Sequence, residues 1–545
     1  MKIKKNVKDM YQNPILHADY SDPDVIRVGE DFFMTASSFT YFPGLPILHS
    51  KDLVNWRVVS YALEKMPYDT YNLPAHGKGV WAPAIRYYKG EYFIYFGAPD
   101  EGIFMVKTKN PFGKWEDPIL VKEAKGWIDP CPFWDDNGEA YLVHAFAASR
   151  CGIKSILHLN KMSPDGTCLL DEGVMIVDGR KDNPTLEGPK LYKRNGYYYL
   201  FAPAGGVESG WQSVFRASNI YGPYEEKVVL AQGSTSVNGP HQGGLVELEN
   251  GESWFVHFQD KEAYGRIVHL QPVKWIEDWP VMGTPIQEVC KGEEDHTTYC
   301  LKDKYGATRL VDKTFLGQPV LEYTKPNVGK EYPNVRPDTT DEFEAKELGL
   351  QWQWQANPSK EWYSLEERKG WLRLYIDSGR GGNHPTLYEL PNVLTQMIPA
   401  AGFEVTAKVE LEARQIEDEC GLILTGESYN YITLVRHSDG YFLEYRQGYL
   451  ADTGSKESRI QSVKIEGKEV YLRVNIQQAL LQDTNVIGQF SYSIDGETFK
   501  EIGEVFYPVP GKWVGAKIGI FATNLKTENS KGYADFDWIK FDKLI

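Results

Sequence analysis

Five times within its first 310 residues the chain repeats one local pattern, a glycine-bearing turn followed by an aromatic-rich strand. The turn glycines are Gly29, Gly90, Gly138, Gly196 and Gly251, at spacings of 61, 48, 58 and 55 residues. The strands behind them are DFFMTAS (31–37), EYFIYFG (91–97), EAYLVHAF (139–146), YYYLFAP (197–203) and ESWFVHFQ (252–259). Turns such as KGE, DNGE, RNGY and ENGE read as tight hairpins, since Gly and Asn accept the positive φ that such turns need. Sandwich strands recur every ~8–12 residues, so a period of about 50–60 describes a unit of several strands. Five units predict a five-bladed β-propeller over residues 1–310. HSKDLVNW (49–56), TKNPFGKW (108–115) and ASNIYGPY (217–224) read as recurring outer-strand signals. Composition agrees with an all-β chain: 15 Trp, 34 Tyr and 24 Phe, with 50 Gly and 31 Pro for turns.

Charge and cysteine usage narrow the partners. The net charge is −16 and there is no Lys/Arg run, which argues against nucleic acid and against an anionic membrane surface. Nothing approaches the ~18 consecutive apolar residues of a membrane-spanning helix. The opening MKIKKNVKDMYQNP has no apolar core of a secretory signal. Cys131, Cys151, Cys168, Cys290, Cys300 and Cys420 form no CxxC pair, so they read as reduced, mostly buried thiols rather than a zinc site or disulfide framework. The expected compartment is cytoplasmic. Assembly into a homo-oligomer is left open.

Chemistry-bearing residues recur just ahead of the turn glycines. Asp22 lies seven residues before Gly29, Trp81 nine before Gly90, Asp129 nine before Gly138, Glu187 nine before Gly196 and His241 ten before Gly251. If each turn follows the innermost strand of a blade, these side chains meet at one mouth of the central channel. Carboxylates gathered in one pocket repel, which a structural role does not require. Inverting cleavage of a glycosidic bond needs a carboxylic acid for the leaving oxygen and a carboxylate base for water, about 6.5–9.5 Å apart. Opposite walls of a channel suit that separation, and a flat indole suits an apolar sugar face. Each residue also has a plainer reading. Asp22 and Asp129 precede proline and would serve as turn starters. Glu187 before Gly-Pro is a turn residue, Trp81 and Phe39 are core, and Arg266 pairs with an acid such as Glu262. His241 is either a satisfied axial histidine or a water-mediated metal contact.

The motifs SDPD (21–24), WAPAI (81–85), WIDPCPFWDDNG (127–138) and LEGPKLY (186–192) occur in the order seen in glycoside hydrolase family 43, which residues 10–300 resemble. GPHQGGLVE (239–247) and YGRIVHLQPVKW (264–275) resemble later segments of that family. The resemblance implies Asp22 as the general base, Glu187 as the general acid, and Asp129 as the residue that tunes the acid and orients substrate. It implies Trp81 and Phe39 as pocket walls and Arg266 as a donor to sugar hydroxyls. His241 matches an axial histidine that sits by a bound calcium or water in relatives. No cofactor is implied for the chemistry.

Residues 311–338 carry four prolines and little periodicity and read as a linker. The interval 339–545 alternates strands and glycine turns, as in SDGYFLEYRQ (438–447) and EVYLRVNI (469–476), and predicts a jelly-roll or concanavalin-like β-sandwich. It resembles the domain appended to the β-xylosidase and α-L-arabinofuranosidase branch of the family. Its opening (341–355) and closing (534–542) segments look like paired first and last strands, with Asp341 and Asp535 as candidates for a structural calcium. Two jobs are open for the sandwich, binding polysaccharide and capping the propeller mouth with a loop, and capping is favoured. The expected activity is inverting, exo-acting release of β-D-xylose and/or α-L-arabinofuranose from xylo- or arabinoxylo-oligosaccharides. The alternatives are an endo-acting arabinanase, which needs an open groove, and a sugar-binding propeller without catalysis.

Overall fold

The computed structural model describes residues 9–287, 297–303, 305–376, 386–449, 457–479, 486–527 and 529–544. Five four-stranded antiparallel sheets form the propeller, with two added short strands on the fourth. The first blade holds Asp24–Val28, Asp31–Thr35, Gly44–Ser50 and Arg57–Leu63, and the second Trp81–Tyr88, Glu91–Ala98, Gly102–Thr108 and Ile119–Glu123. The third holds Trp127–Trp134, Ala140–Phe146, Ile156–Met162 and Val174–Asp178. The fourth holds Lys190–Arg194, Tyr197–Ala204, Trp211–Ala217 and Glu225–Leu230. The fifth holds His241–Glu247, Ser253–Asp260, Arg266–Ile276 and Trp279–Met282.

Each turn glycine joins the first and second strands of its blade, as the repeat predicts. Their φ values run from 63° to 87°, and a Cβ on any of them would meet nothing within 4 Å. Backbone conformation, not crowding, therefore selects glycine there. The first strands are innermost; those of the first four blades pack one on the next, that of the fifth packs on that of the first, and the fifth meets the fourth blade through Tyr197–Ala204 and Trp211–Ala217. Second strands lie between neighbouring blades, which is why Ala140–Phe146 is buried at every position and shows no alternation. The segments read as outer-strand signals are instead the bends between third and fourth strands.

First and fifth blades each keep four consecutive strands, so the ring closes without strand exchange. The N-terminal segment closes it instead. Leu16 bridges Val268, the Tyr11 hydroxyl donates to the Leu270 carbonyl at 2.7 Å, and the Asn13 amide donates to the Leu270 and Val320 carbonyls at 2.8 Å each. Within 311–338, Gly317–Gln318 joins the edge of the fourth blade and Glu322–Thr324 pairs with Met10–Gln12. That half of the segment is propeller structure, and residues 325–338 lack ladder pairing.

The sandwich has two seven-stranded antiparallel sheets. Glu469–Gln478 shows the period of two that one buried face imposes, with Val470, Leu472, Val474 and Ile476 inside. The closing segment, Tyr533–Asp542, pairs with Leu372–Tyr375 and Phe403–Glu412. Among the described residues its backbone pairing with the opening segment is one bridge, Asp341 to Ile539, beside an ion pair of Lys540 with Glu342 at 3.0 Å, so the two do not form a ladder of first and last strands.

The two units share apolar core. Ala263, Tyr264 and Ile267 of the fifth blade pack within the sandwich's hydrophobic cluster. Phe42 and Trp354 exchange backbone hydrogen bonds, and Asn357 donates to and accepts from the backbone of Met66. Burying a large apolar side chain contributes about 1.5–3 kcal/mol, so severing this interface exposes a costly surface. A chain ending at residue 337 should therefore show a lower Tm and aggregate in size-exclusion chromatography. A monodisperse truncation with the full-length Tm would contradict this account of the interface.

Candidate active site

One backbone device recurs at the head of every inner strand. Asp22, Ala82, Asp129, Gly188 and Gln242 have φ values of 53°, 28°, 56°, 59° and 33°, one left-handed residue per blade. Non-glycine residues adopt this region at a cost and persist there only when the surroundings hold them. In the second, third and fifth blades the ladder register shifts at this point. Each left-handed residue turns the strand end, so that its own side chain or the preceding one leaves the ladder. This explains why the sequence offsets of Asp22, Trp81, Asp129, Glu187 and His241 from the turn glycines differ while the positions correspond.

Asp22 is buried between two donors. The Ser37 hydroxyl donates to its Oδ2 at 2.6 Å, and Arg266 Nη1 lies 3.2 Å from Oδ1. Ser37 Oγ also accepts the Ala82 backbone N–H at 2.7 Å, so its one proton goes to Asp22. Arg266 Nη1 donates to Ser21 Oγ at 3.0 Å, and its Nε faces Asp260 at 3.7 Å. The plainer reading of Arg266, with Glu262 as its partner, is replaced by Asp22 and Asp260. Its observed task is to hold Asp22.

Asp129 is 3 % exposed, and its Oδ2 accepts the Gly188 N–H at 2.7 Å and the Gln242 amide at 3.1 Å. The first bond fixes the residue next to Glu187. Burial holds the Asp129 carboxyl well above the usual range, and the negative charges of Glu187 and Asp22 push it the same way. The charges of Asp22 and Glu187 thus both reach Asp129. Glu187 keeps a third of its side chain exposed, at 32 %, and its Oε1 lies 3.0 Å from His241 Nε2. His241 is fully enclosed, and its Nδ1 has no hydrogen-bond partner among the described residues.

Aromatic rings form the wall. Phe39 meets Trp81 edge-on at 6.1 Å, and Trp81 meets Trp513 edge-on at 6.2 Å. Trp513 belongs to the sandwich, has φ of 66° and is 47 % exposed. The Arg150 guanidinium lies 5.5 Å from the Trp81 ring centre. The sandwich therefore does lend a loop to the mouth. Ser37, Gln242 and Trp513 escaped the sequence reading. Trp513 sits in GKWVG (511–515), where the flanking glycines are the one available signal.

The candidate calcium residues do not meet. Asp535 is ion-paired to Arg373 at 2.8 Å and Arg368 at 3.1 Å, while Asp341 accepts from the Phe343 N–H and the Trp352 indole at 2.8 Å each. Calcium takes about six to eight oxygen ligands. Two arginines already neutralise Asp535, and His241 offers a single nitrogen. Among the described residues no three His, Cys, Asp or Glu side chains converge on a common metal position. The five described cysteines are unpaired, as expected of reduced thiols, but fewer are buried than expected: Cys131 and Cys420 are buried, Cys151 and Cys300 half-buried and Cys168 exposed, and Cys290 lies outside the described residues.

Residues 11–280 match the glycosyl hydrolases family 43, and residues 340–542 match the β-xylosidase C-terminal concanavalin A-like domain. The chain belongs to glycoside hydrolase family 43. This family 43 enzyme is 38 % identical over 526 residues to a putative β-xylosidase of Xylanibacter ruminicola, covering 95 % of this chain and 87 % of that one. It is 28 % identical to a non-reducing-end α-L-arabinofuranosidase of Bacteroides ovatus, covering 97 % and 94 %. A solved xylan β-1,4-xylosidase of Bacillus halodurans superposes with a TM-score of 0.80 at 25 % identity, covering 98 % of this chain and all of that one.

The raised Asp129 carboxyl has a consequence for stability. The unfolded chain releases this proton near the ordinary carboxylate value, and the folded family 43 enzyme holds it to higher pH. The group's stabilising contribution is therefore full below the ordinary value and is lost as pH rises through the folded one. Asp129→Asn cannot ionise and keeps an acceptor oxygen for Gly188. The variant's Tm should rise relative to the parent as pH increases above the ordinary carboxylate value, by roughly 1–2 °C per kcal/mol relieved. A Tm difference that stays flat over that increase would contradict the electrostatic account.

Proposed function

We propose that the enzyme is an exo-acting, inverting pentosidase that releases terminal β-D-xylose and/or α-L-arabinofuranose from short xylan-derived oligosaccharides. The observation that carries this reading is the placement of Asp22 and Glu187 on the first and fourth of five blades. Neighbouring blades pack on one another around the ring, and these two blades are not neighbours, so their strand ends face across the axis. A separation of about 5–5.5 Å suits direct attack by a carboxylate, and one of about 6.5–9.5 Å admits a water. Two non-adjacent blades of a ring favour the wider gap.

In this reading Asp22 takes a proton from water, with Ser37 and Arg266 fixing its oxygens. Glu187, the most exposed of the three and in contact with His241, gives a proton to the leaving oxygen. Asp129 orients the acid through the Gly188 N–H. The sugar ring rests against Trp81 and Phe39. Trp513 narrows the mouth, which supports terminal over internal cleavage and weighs against an arabinanase-like groove. The names of the relatives support a xylose- or arabinose-releasing activity. A lectin would have no use for a buried, mutually repelling carboxylate ring, and the cost of that burial supports catalysis.

General acid and base groups contribute about 10²–10⁴-fold each. Asp22→Ala should lose activity to that extent on xylobiose and nitrophenyl pentosides alike, because water activation is common to both. Glu187→Ala should retain more activity on nitrophenyl pentosides, whose leaving groups need little protonation, than on xylobiose. Equal losses of Glu187→Ala on both substrate types in steady-state kinetics would overturn the acid assignment.

A further inference from the structure

We propose that Asp19 is a positioning residue that links the base, Asp22, to the sandwich loop that carries Trp513. The proposal rests on the reading of Asp22 as the base. Asp19 lies three residues ahead of Asp22 and is 4 % exposed. Its two oxygens serve different units of the molecule. Oδ1 accepts the backbone N–H of Arg266 at 2.8 Å, and Oδ2 accepts the backbone N–H of Gly515 at 2.8 Å. Arg266 is the residue whose guanidinium holds Ser21 and Asp22. Gly515 lies two residues beyond Trp513, which meets Trp81 in the pocket wall. One buried carboxylate thus fixes both the start of the strand that supports the base and the base of the loop that narrows the mouth.

The surroundings leave this link little freedom. A Cβ on Gly265 would lie 2.4 Å from the Asp19 carboxyl carbon, and one on Gly515 would lie 2.6 Å from the Gly265 nitrogen. Two backbone segments, at Gly265–Arg266 and at Gly515, therefore converge on Asp19, and each carries a glycine where a Cβ would clash. Ala516 continues the junction by donating its N–H to the Ala263 carbonyl at 2.8 Å. Lys517 is buried nearby, with Nζ 4.4 Å from the Tyr41 ring centre and 3.4 Å from Gln353 Oε1; burial lowers its pKa to about 8, and the Asp19 charge works against that shift. A buried carboxylate paired to two backbone N–H groups is a strong, short-range constraint.

The geometry makes the sandwich part of the base's support and not only a cover. A loop that merely covers the mouth would change KM. A loop linked through Asp19 to Arg266 changes kcat as well, because displacement of Gly515 reaches Asp22. Asp19→Asn tests this with little change of shape: an amide has one acceptor oxygen, so one of the two N–H groups loses its partner.

The experiment is a double-mutant cycle between Asp19→Asn and Trp513→Ala, read as kcat and KM on xylobiose, with Tm recorded for each variant. Asp19→Asn should lower kcat and raise KM together. The double variant should lose less than the product of the single losses, by about fivefold or more, as coupled sites do. Gly515→Ala reads the same link from the sandwich side. Its Cβ pushes on Gly265, and it should lower kcat although it lies in the other domain. Multiplicative losses within about twofold, or a Gly515→Ala variant that changes KM alone, would overturn the proposal. Asp22→Ala reports separately: an active Asp22→Ala beside a coupled cycle would remove the base assignment and leave the Asp19 link standing.

Discussion

Carboxylates placed around one narrow axis repel one another and lose hydration, and most of what surrounds this axis answers that constraint. Asp22 receives a hydroxyl proton from Ser37 and a guanidinium from Arg266. Asp129 receives two N–H donors and still holds its proton more tightly than an ordinary carboxyl. Glu187 contacts His241 and has the largest exposure of the three. The three environments differ in donors and solvent, and such differences let chemically identical groups take different roles. The left-handed residues at the strand heads belong to the same arrangement, because they aim these side chains inward at a cost in backbone energy that the packed blades sustain.

The propeller alone does not complete the pocket. Its aromatic wall runs from Phe39 through Trp81 to Trp513, and the last of these comes from a domain that follows more than two hundred residues later. The interface that brings it there is continuous with a hydrophobic core, since Tyr264 and Ile267 pack among sandwich residues. A rigid junction of this kind holds a side chain such as Trp513 at a fixed distance, whereas a flexible tether would hold it only part of the time.

The blade repeat was legible because each turn needs a positive φ that glycine supplies and each following strand needs bulky side chains between blades. The carboxylates were legible for the same reason: repeat position places Asp22, Asp129 and Glu187 together before any coordinate does. Their supporting residues were not. Ser37 and Gln242 are ordinary polar residues in the sequence, and their roles arise from contacts with Asp22 and Asp129 across 15 and 113 residues. Trp513 and Asp19 depend on docking of two domains, which no local pattern encodes. Asp341 and Asp535 show the limit from the other side. Strand-end acids suggested a metal, and the fold supplied Arg368 and Arg373 to Asp535 instead.

The central claim is that a water stands between Asp22 and the sugar, so that attack and departure occur on opposite faces of the anomeric carbon. Proton NMR of the first product released from a β-xyloside tests this most directly, before mutarotation mixes the anomers. The geometry predicts that α-xylose is released first. Initial release of β-xylose, or a covalent glycosyl adduct trapped on Asp22, would contradict it.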